Sequence, residues 1–175
     1  MCKAGIFMAD GCEEIEGLAV VDILRRAKAE ITMISINGKK EVTGSHGVVF
    51  MADALASEVD FETLDAIILP GGGVGTQNLA ADGTVCEIAK KFAAEGKLVC
   101  AICAAPSVLG AAGILKGKKA TCYPGFEDRL TGAELCDKAV VRDGNVITGR
   151  SMGAAVPFGL AIVSYLMGEK AAEKI

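Results

Sequence analysis

Lys97-Leu98-Val99-Cys100-Ala101-Ile102-Cys103, continued by Ala104-Ala105-Pro106-Ser107-Val108-Leu109-Gly110, contains the clearest structural signal in the chain. After its lysine the first half is apolar and uncharged, as expected of a strand buried on both faces. The second half is small and helix-compatible, with Pro106 where an early helical turn tolerates a missing N–H. Cys103 therefore stands at a strand-to-helix turn, close to the free N–H groups of a helix start. Such groups stabilise a thiolate and donate to a developing oxyanion. A small buried hydrophobe is the other common fate of a free cysteine, and the local pattern leaves the two readings level.

The alternation extends in both directions. Strands are predicted at Lys3 to Ala9, Glu30 to Asn37, Leu64 to Leu69 and Lys118 to Tyr123, and helices at Glu13 to Lys28, Gly83 to Glu95 and about Gly153 to Met167. Two hairpin-like pairs interrupt it. Glu41 to Thr43 and Val48 to Ala52 flank Gly44-Ser45-His46-Gly47, and Ala139 to Arg142 and Asn145 to Thr148 flank the turn dipeptide Asp143-Gly144. Strands alternating with helices imply an α/β fold with a mainly parallel sheet covered on both faces. No linker, repeat or low-complexity tract divides residues 1–175, which read as one domain. Within the first helix, Leu18 to Leu24 is apolar except for Asp22, so the helix should be buried on two sides. One side meets the sheet; the other meets a second subunit or a covering loop, and the dimer is favoured.

Composition excludes several classes. The 175 residues are 51% hydrophobic with a net charge of −4, and no Lys/Arg cluster is interleaved with aromatics, so nucleic acid is not an expected partner. Met1-Cys2-Lys3 leads into a strand without the apolar region of a signal peptide. The longest apolar stretch, Ala154 to Met167, is interrupted by Pro157, Gly159 and Ser164 and is too short for a bilayer. Seven cysteines without a secretory signal point to reduced thiols in the cytoplasm.

Three loops fall at the carboxyl ends of strands, where sheets of this class bind ligands: Asp10 to Glu16, Pro70 to Gly75, and Cys103 to Ala105. The glycines of the second fit neither nucleotide-binding spacing; they allow a close backbone approach to a reacting atom, or simply a turn. Glu13 and Glu14 read as carboxylates complementing the helix dipole. Glu16, one turn in, is the candidate for pointing at a buried pocket, where a carboxyl beside a sulfur can stay protonated and donate to the thiolate. With the helix start also facing Cys103, the thiol should titrate below the usual value of about 8.5. Cys100-Ala101-Ile102-Cys103 matches C-x-x-C, but residues three apart on a strand face opposite ways, and no second close pair completes a zinc site. No metal and no cofactor is expected.

Gly11-Cys12-Glu13-Glu14-Ile15-Glu16, Val21-Asp22-Ile23-Leu24-Arg25-Arg26, Leu69-Pro70-Gly71-Gly72, Gln77-Asn78-Leu79 and Ala101-Ile102-Cys103-Ala104-Ala105-Pro106 resemble the motifs of the ThiJ/PfpI superfamily, in the branch of the DJ-one and YajL proteins. The resemblance runs in order over nearly the whole chain. It implies a flavodoxin-like three-layer sandwich with a mainly parallel sheet, class I glutamine amidotransferase-like, and a homodimer that uses the first helix. It also implies a reactive Cys103, a partner carboxyl at Glu16 and backbone donors at Gly72 and Ala104, with Tyr123, His46 and Arg26 as candidate pocket residues.

Three departures from that pattern bear on chemistry. Relatives often carry a histidine where this chain has Tyr123; an unperturbed tyrosine, with a pKa of about 10, is no general base near pH 7. The only histidine, His46, lies in the Ser45-His46-Gly47 turn where relatives often carry arginine, either solvated or contributing across a dimer. Arg150-Ser151-Met152-Gly153 replaces a common Gly-Pro-Gly turn and alters one pocket wall. The expected activity is cysteine-dependent conversion of small reactive 2-oxoaldehydes or glycated substrates, glyoxalase III-like or deglycase-like, and not proteolysis. The alternative is a redox-sensing stress or chaperone-like protein in which Cys103 is oxidised.

Overall fold

Alternation of side chains between two cores along fully buried central strands sets the frame. The computed structural model describes residues 2–175. In chain order the elements are β1 (Lys3–Met8), α1 (Glu14–Arg26), β2 (Glu30–Ser35), β3 (Glu41–Thr43), β4 (Val49–Met51), β5 (Ala54–Leu55), β6 (Ala66–Leu69), α2 (Gly73–Ala81), α3 (Gly83–Glu95), β7 (Leu98–Ile102), α4 (Pro106–Ala111), β8 (Lys119–Ala120), β9 (Glu134–Leu135), β10 (Val140–Asp143), β11 (Val146–Gly149), α5 (Ala155–Met167) and α6 (Glu169–Ala172). Seven strands form one sheet in the order β10-β11-β7-β6-β1-β2-β5. All neighbours are parallel except β10, which turns back on β11.

Leu98, Cys100 and Ile102 of β7 face one core with Ala66 and Ile68 of β6 and Ile6 and Met8 of β1. Val99 and Ala101 face the other with Ile67, Leu69 and Phe7. The first core is closed by α1 and α5 through Val20, Leu24, Phe158 and Ile162, the second by α2, α3 and α4 through Leu79, Phe92 and Leu109. This is a flavodoxin-like three-layer α/β sandwich, and strands covered on both faces explain why β6 and β7 carry no polar residue.

Much of the apolar outer side of α1 is covered from within the chain. Gly159 of α5 lies against Ile23, so closely that a Cβ there would come within 2.8 Å of Ile23 Cδ1. Lys118 to Tyr123 is not a strand of the main sheet: only Lys119–Ala120 is extended, paired with β9 in a separate two-stranded ribbon. Beyond Ala120 the chain bonds elsewhere, Thr121 N–H to Thr148 Oγ1 at 3.0 Å and Tyr123 N–H to the Cys103 carbonyl at 2.8 Å. The chain leaves β1 for β2 on one side and later fills β6 on the other. That order change opens a crevice at the carboxyl ends of β1 and β6, the usual ligand position in such sheets.

Candidate active site

Cys103 follows the last residue of β7 and has φ +64°, a conformation a non-glycine residue keeps only when its surroundings impose it. Both backbone groups are held: its N–H donates to the Gly149 carbonyl at 2.9 Å, and its carbonyl accepts from Tyr123 N–H at 2.8 Å. The sulfur, partly exposed, accepts from the backbone N–H groups of Gly72 and Ala104. Gly72 itself has φ +90°, and a Cβ there would lie 2.4 Å from the Gly11 carbonyl oxygen. At Gly71 a Cβ would lie 2.4 Å from Glu16 Oε2 and 2.6 Å from Cys103 Cβ. Only glycine lets the Glu16 carboxyl and the Cys103 side chain approach across this loop.

Glu16 shares the buried stripe of α1 with Val20, Ile23 and Leu24. Its register is fixed by Glu13, the N-cap, whose Oε2 accepts Glu16 N–H at 2.7 Å. The Glu16 carboxyl is fully buried; Oε2 accepts Gly71 N–H at 2.9 Å, and Oε1 has no partner. Burial pushes this acid up to about 7, against the pull of Cys103 and the Gly71 N–H. Burial, followed by the charge and hydrogen bond of an ionised Glu16, pushes the Cys103 thiol up to about 12, against the Gly72 and Ala104 donors. A thiol titrating below the usual value is therefore incompatible with an ionised Glu16.

Glu14 does more than complement the helix dipole. It is buried, and its carboxylate accepts from His46 N–H at 2.7 Å, Val48 N–H at 3.4 Å, Ser45 Oγ at 3.1 Å and His46 Nδ1 at 3.0 Å. Burial alone would raise its pKa, but these donors, His46 first, hold it at about 2. Glu14 thus fastens the β3–β4 turn to the start of α1 beside the crevice. The sequence did not point to this clamping role. A folded value below the ordinary one of about 4.3 stabilises the fold fully above that pH and is lost as pH falls toward 2. Glu14→Ala should lower stability by about 2–3 kcal/mol at pH 7, read as a drop in Tm of several degrees, because several donors lose a charged acceptor.

His46 is thus a tethered turn residue, its side chain 74% exposed. Glu13, Glu14 and His46 bring one ligand atom each within 4.8 Å of one another, the one group of three among the described residues that could hold a metal. All seven cysteines are free. Tyr123 is joined to Cys103 through its backbone, while the residue is 47% exposed and its ring stands edge-on to Phe126. Arg26 does not belong to this chain's pocket. It lies ten residues beyond Glu16 on α1, about 15 Å along the axis, and bonds Asp22 on the exposed face at 2.5 Å. Met152, exposed by 49%, lines a cavity with Glu13, Glu14, Ile15, His46 and Val48; of these wall residues, sequence pointed to His46 and the turn around Met152 as pocket neighbours, and to Glu13 and Glu14 only as helix-dipole carboxylates.

A cysteine at positive φ between a parallel strand and a helix, opposite a buried acid, defines a flavodoxin-like protein with a cysteine at a strand-to-helix elbow. The family model described as the DJ-1/PfpI family matches residues 2–165, and the chain belongs to that family. It is 42% identical over 166 residues to Protein DJ-1 homolog A and 39% over 164 residues to homolog B of Arabidopsis thaliana. These matches cover 94% and 93% of this chain but only 42% and 37% of the relatives, so the chain spans less than half of their length. It is also 35% identical over 150 residues to a protein of Pyrococcus abyssi named a deglycase, covering 85% of this chain and 89% of that one. The solved structure of oxidised Toxoplasma gondii DJ-1 superposes with a TM-score of 0.95 at 34% identity, covering 99% of this chain and 95% of that one.

Proposed function

We propose that Cys103 and Glu16 carry out deglycase-like or glyoxalase III-like chemistry on 2-oxoaldehydes or their adducts. The observation that carries this is the elbow itself: a sulfur with two backbone donors opposite a buried acid. The Pyrococcus abyssi deglycase supports the same reading. Two neighbouring buried anions are costly, so the pair holds one charge near pH 7. The lower of the two values belongs to Glu16, but the reactive form in this reading carries the charge on sulfur, beside the Gly72 and Ala104 N–H groups, with neutral Glu16 as a further donor.

The thiolate adds to the aldehyde carbon, forming a C–S bond, while the carbonyl π-electrons become an oxyanion held by the Gly72 and Ala104 N–H groups. Glu16 protonates that oxygen to give a hemithioacetal. As a carboxylate it then removes the proton from the same carbon and returns it at the adjacent one, leaving a 2-hydroxy thioester on Cys103. Water cleaves the thioester, so methylglyoxal plus water gives lactate with no external oxidant. Purified protein should convert methylglyoxal to lactate, and Cys103→Ala should reduce turnover at least ~100-fold, as expected when the nucleophile is lost. Full turnover by that variant would overturn the assignment.

Oxidation of the partly exposed Cys103 thiolate to sulfenic and sulfinic acid is the second reading. It requires peroxide to modify Cys103 ahead of the partly exposed Cys2, Cys86 and Cys136, with no lactate formed. We also place a homodimer contact on α1 and the β3–β4 hairpin, where Leu18 is partly exposed and Val49 and Met51 are 57% and 60% exposed. Sedimentation equilibrium should give twice the chain mass, and Met51→Glu should give the monomer.

A further inference from the structure

Against the β8–β9 ribbon lies a cavity of about 310 Å³ whose lining includes Cys122, Cys136, Glu127, Asp137 and Arg150. Neither cysteine takes part in the chemistry proposed for Cys103, and both are free. The parallel register Lys119↔Glu134 and Ala120↔Leu135 is continued by Cys136 N–H, which donates to the Ala120 carbonyl at 2.8 Å. Cys136 therefore stands opposite Thr121 and one residue off the register from Cys122. For strands about 4.8 Å apart with a rise of about 3.3 Å per residue, that diagonal is about 6 Å between Cα atoms, inside the range of about 4.4–6.8 Å that a disulfide spans. Strict alternation would turn Cys122 away. The ladder ends at Ala120, however: Thr121 N–H goes to Thr148 Oγ1 at 3.0 Å, and past that point both cysteines line the same cavity.

Each cysteine is also one step from a group that holds Cys103. Cys122 precedes Tyr123, whose N–H donates to the Cys103 carbonyl at 2.8 Å. Cys136 precedes Asp137, which is ion-paired to Arg150, and Arg150 follows Gly149, the acceptor of Cys103 N–H at 2.9 Å. The two thiols differ in access. Cys136 is partly exposed, whereas Cys122 is buried, and burial followed by Glu127 pushes it up to about 11 against the pull of Arg150. A small oxidant therefore meets Cys136 first, and Cys122 reacts only with a sulfur already brought beside it.

We propose that Cys122 and Cys136 are a second redox site, a dithiol that exchanges with small disulfides and closes into a bridge anchoring the segment that holds Cys103. The Cys136 sulfur attacks one sulfur of the disulfide RSSR, a mixed disulfide forms, and RSH leaves with the proton Cys136 gave up. The Cys122 sulfur then attacks the Cys136 sulfur, the S–S bond to R breaks, and a second RSH leaves with the proton of Cys122. Two thiols are oxidised to one disulfide and RSSR is reduced to two RSH, with no other reactant. The bridge closes the segment from Cys122 to Cys136, which begins with Tyr123. It requires no turnover at Cys103.

The full chain is treated with excess oxidised glutathione, its remaining free thiols are alkylated, and the products are read by peptide mass analysis. Cys122 and Cys136 should be recovered in linked peptides that a reductant separates. Cys122→Ser should leave glutathione on Cys136, and Cys136→Ser should leave Cys122 as a free thiol. Closing a loop of about 15 residues should raise Tm by roughly 5–10 °C. The same restraint should slow amide hydrogen exchange at Tyr123 severalfold, because that amide opens with the segment the bridge ties down. Both effects are measured against Cys122→Ser treated alike, which carries the glutathione without the bridge. Glutathione persisting on Cys136 of the unsubstituted protein, a bridge from either cysteine to a different one, or a bridge that leaves Tm and Tyr123 exchange unmoved would overturn the proposal. Absence of lactate from methylglyoxal would overturn the functional reading and leave this site untouched.

Discussion

Replacing Glu16 by leucine is expected to raise the pH at which the Cys103 thiolate forms by about two units, the scale on which a hydrogen-bond donor and burial act on a buried ionisable group. In the unsubstituted protein the thiolate absorbance near 240 nm, roughly where charged sulfur absorbs, should appear with a midpoint below the ordinary value of about 8.5. The sign of the change decides where the proton sits. If the resting charge were on Glu16, its carboxylate would hold the thiol up near 12, and removing it would lower the midpoint. If the resting charge is on sulfur, leucine removes a donor and leaves the burial, and the midpoint rises. Glu16→Gln, neutral but still a donor, should raise it only modestly. Cys103→Ser supplies the blank, because Cys12 and Cys122 are pushed up to about 12 and about 11 by burial and Cys100 is raised further by complete enclosure.

The same pair shows what a sequence can and cannot convey. Cys103 was legible because an apolar strand followed by small residues and Pro106 defines an elbow, and Glu16 because it falls on the apolar stripe of α1. The helix over Gly83–Glu95 was legible to the residue, since Asp82 caps Val85 N–H and Gly96 closes the end at φ +75°. By contrast, α2 carries Gly73, Gly75 and Asn78 and has no apolar period. It is helical because Gly75 packs directly against Cys12, where a Cβ would come within 2.6 Å of its Cα, a tertiary contact invisible in local sequence. Glu14 was hidden for a similar reason: a carboxylate in a first helical turn is common, and its partners are more than thirty residues away. The Lys118 to Tyr123 segment had a strand's composition, but Tyr123 N–H is drawn to the Cys103 carbonyl instead of a ladder. Sequence thus located the elbow cysteine and the buried carboxyl opposite it, while the clamp on the β3–β4 turn depended on contacts between distant loops.

That hydrogen bond also makes Tyr123 the position where an added base should act most directly. Residue 123 is held by one backbone hydrogen bond, 2.8 Å long, to the Cys103 carbonyl and is 47% exposed. Hydrolysis of a peptide requires a base to activate the attacking group and an acid to protonate the leaving amine. In the proposed mechanism Glu16 is the one proton-exchanging group beside the sulfur, so no appreciable protease activity is expected. Thiolate addition to an aldehyde expels no amine and proceeds with one proton shuttle. Tyr123→His places an imidazole, titrating near 6.5, on the same backbone anchor and should raise methylglyoxal turnover by roughly 10–100-fold, within the range general-base catalysis supplies. A pH–rate profile should gain a limb near that value. His46 provides the control, because its Nδ1 is committed to Glu14 at 3.0 Å. His46→Ala should leave the pH profile of the Tyr123→His protein in place. An unchanged rate in Tyr123→His together with loss of turnover in His46→Ala would instead make His46 the base, reaching the sulfur of a partner subunit across the dimer.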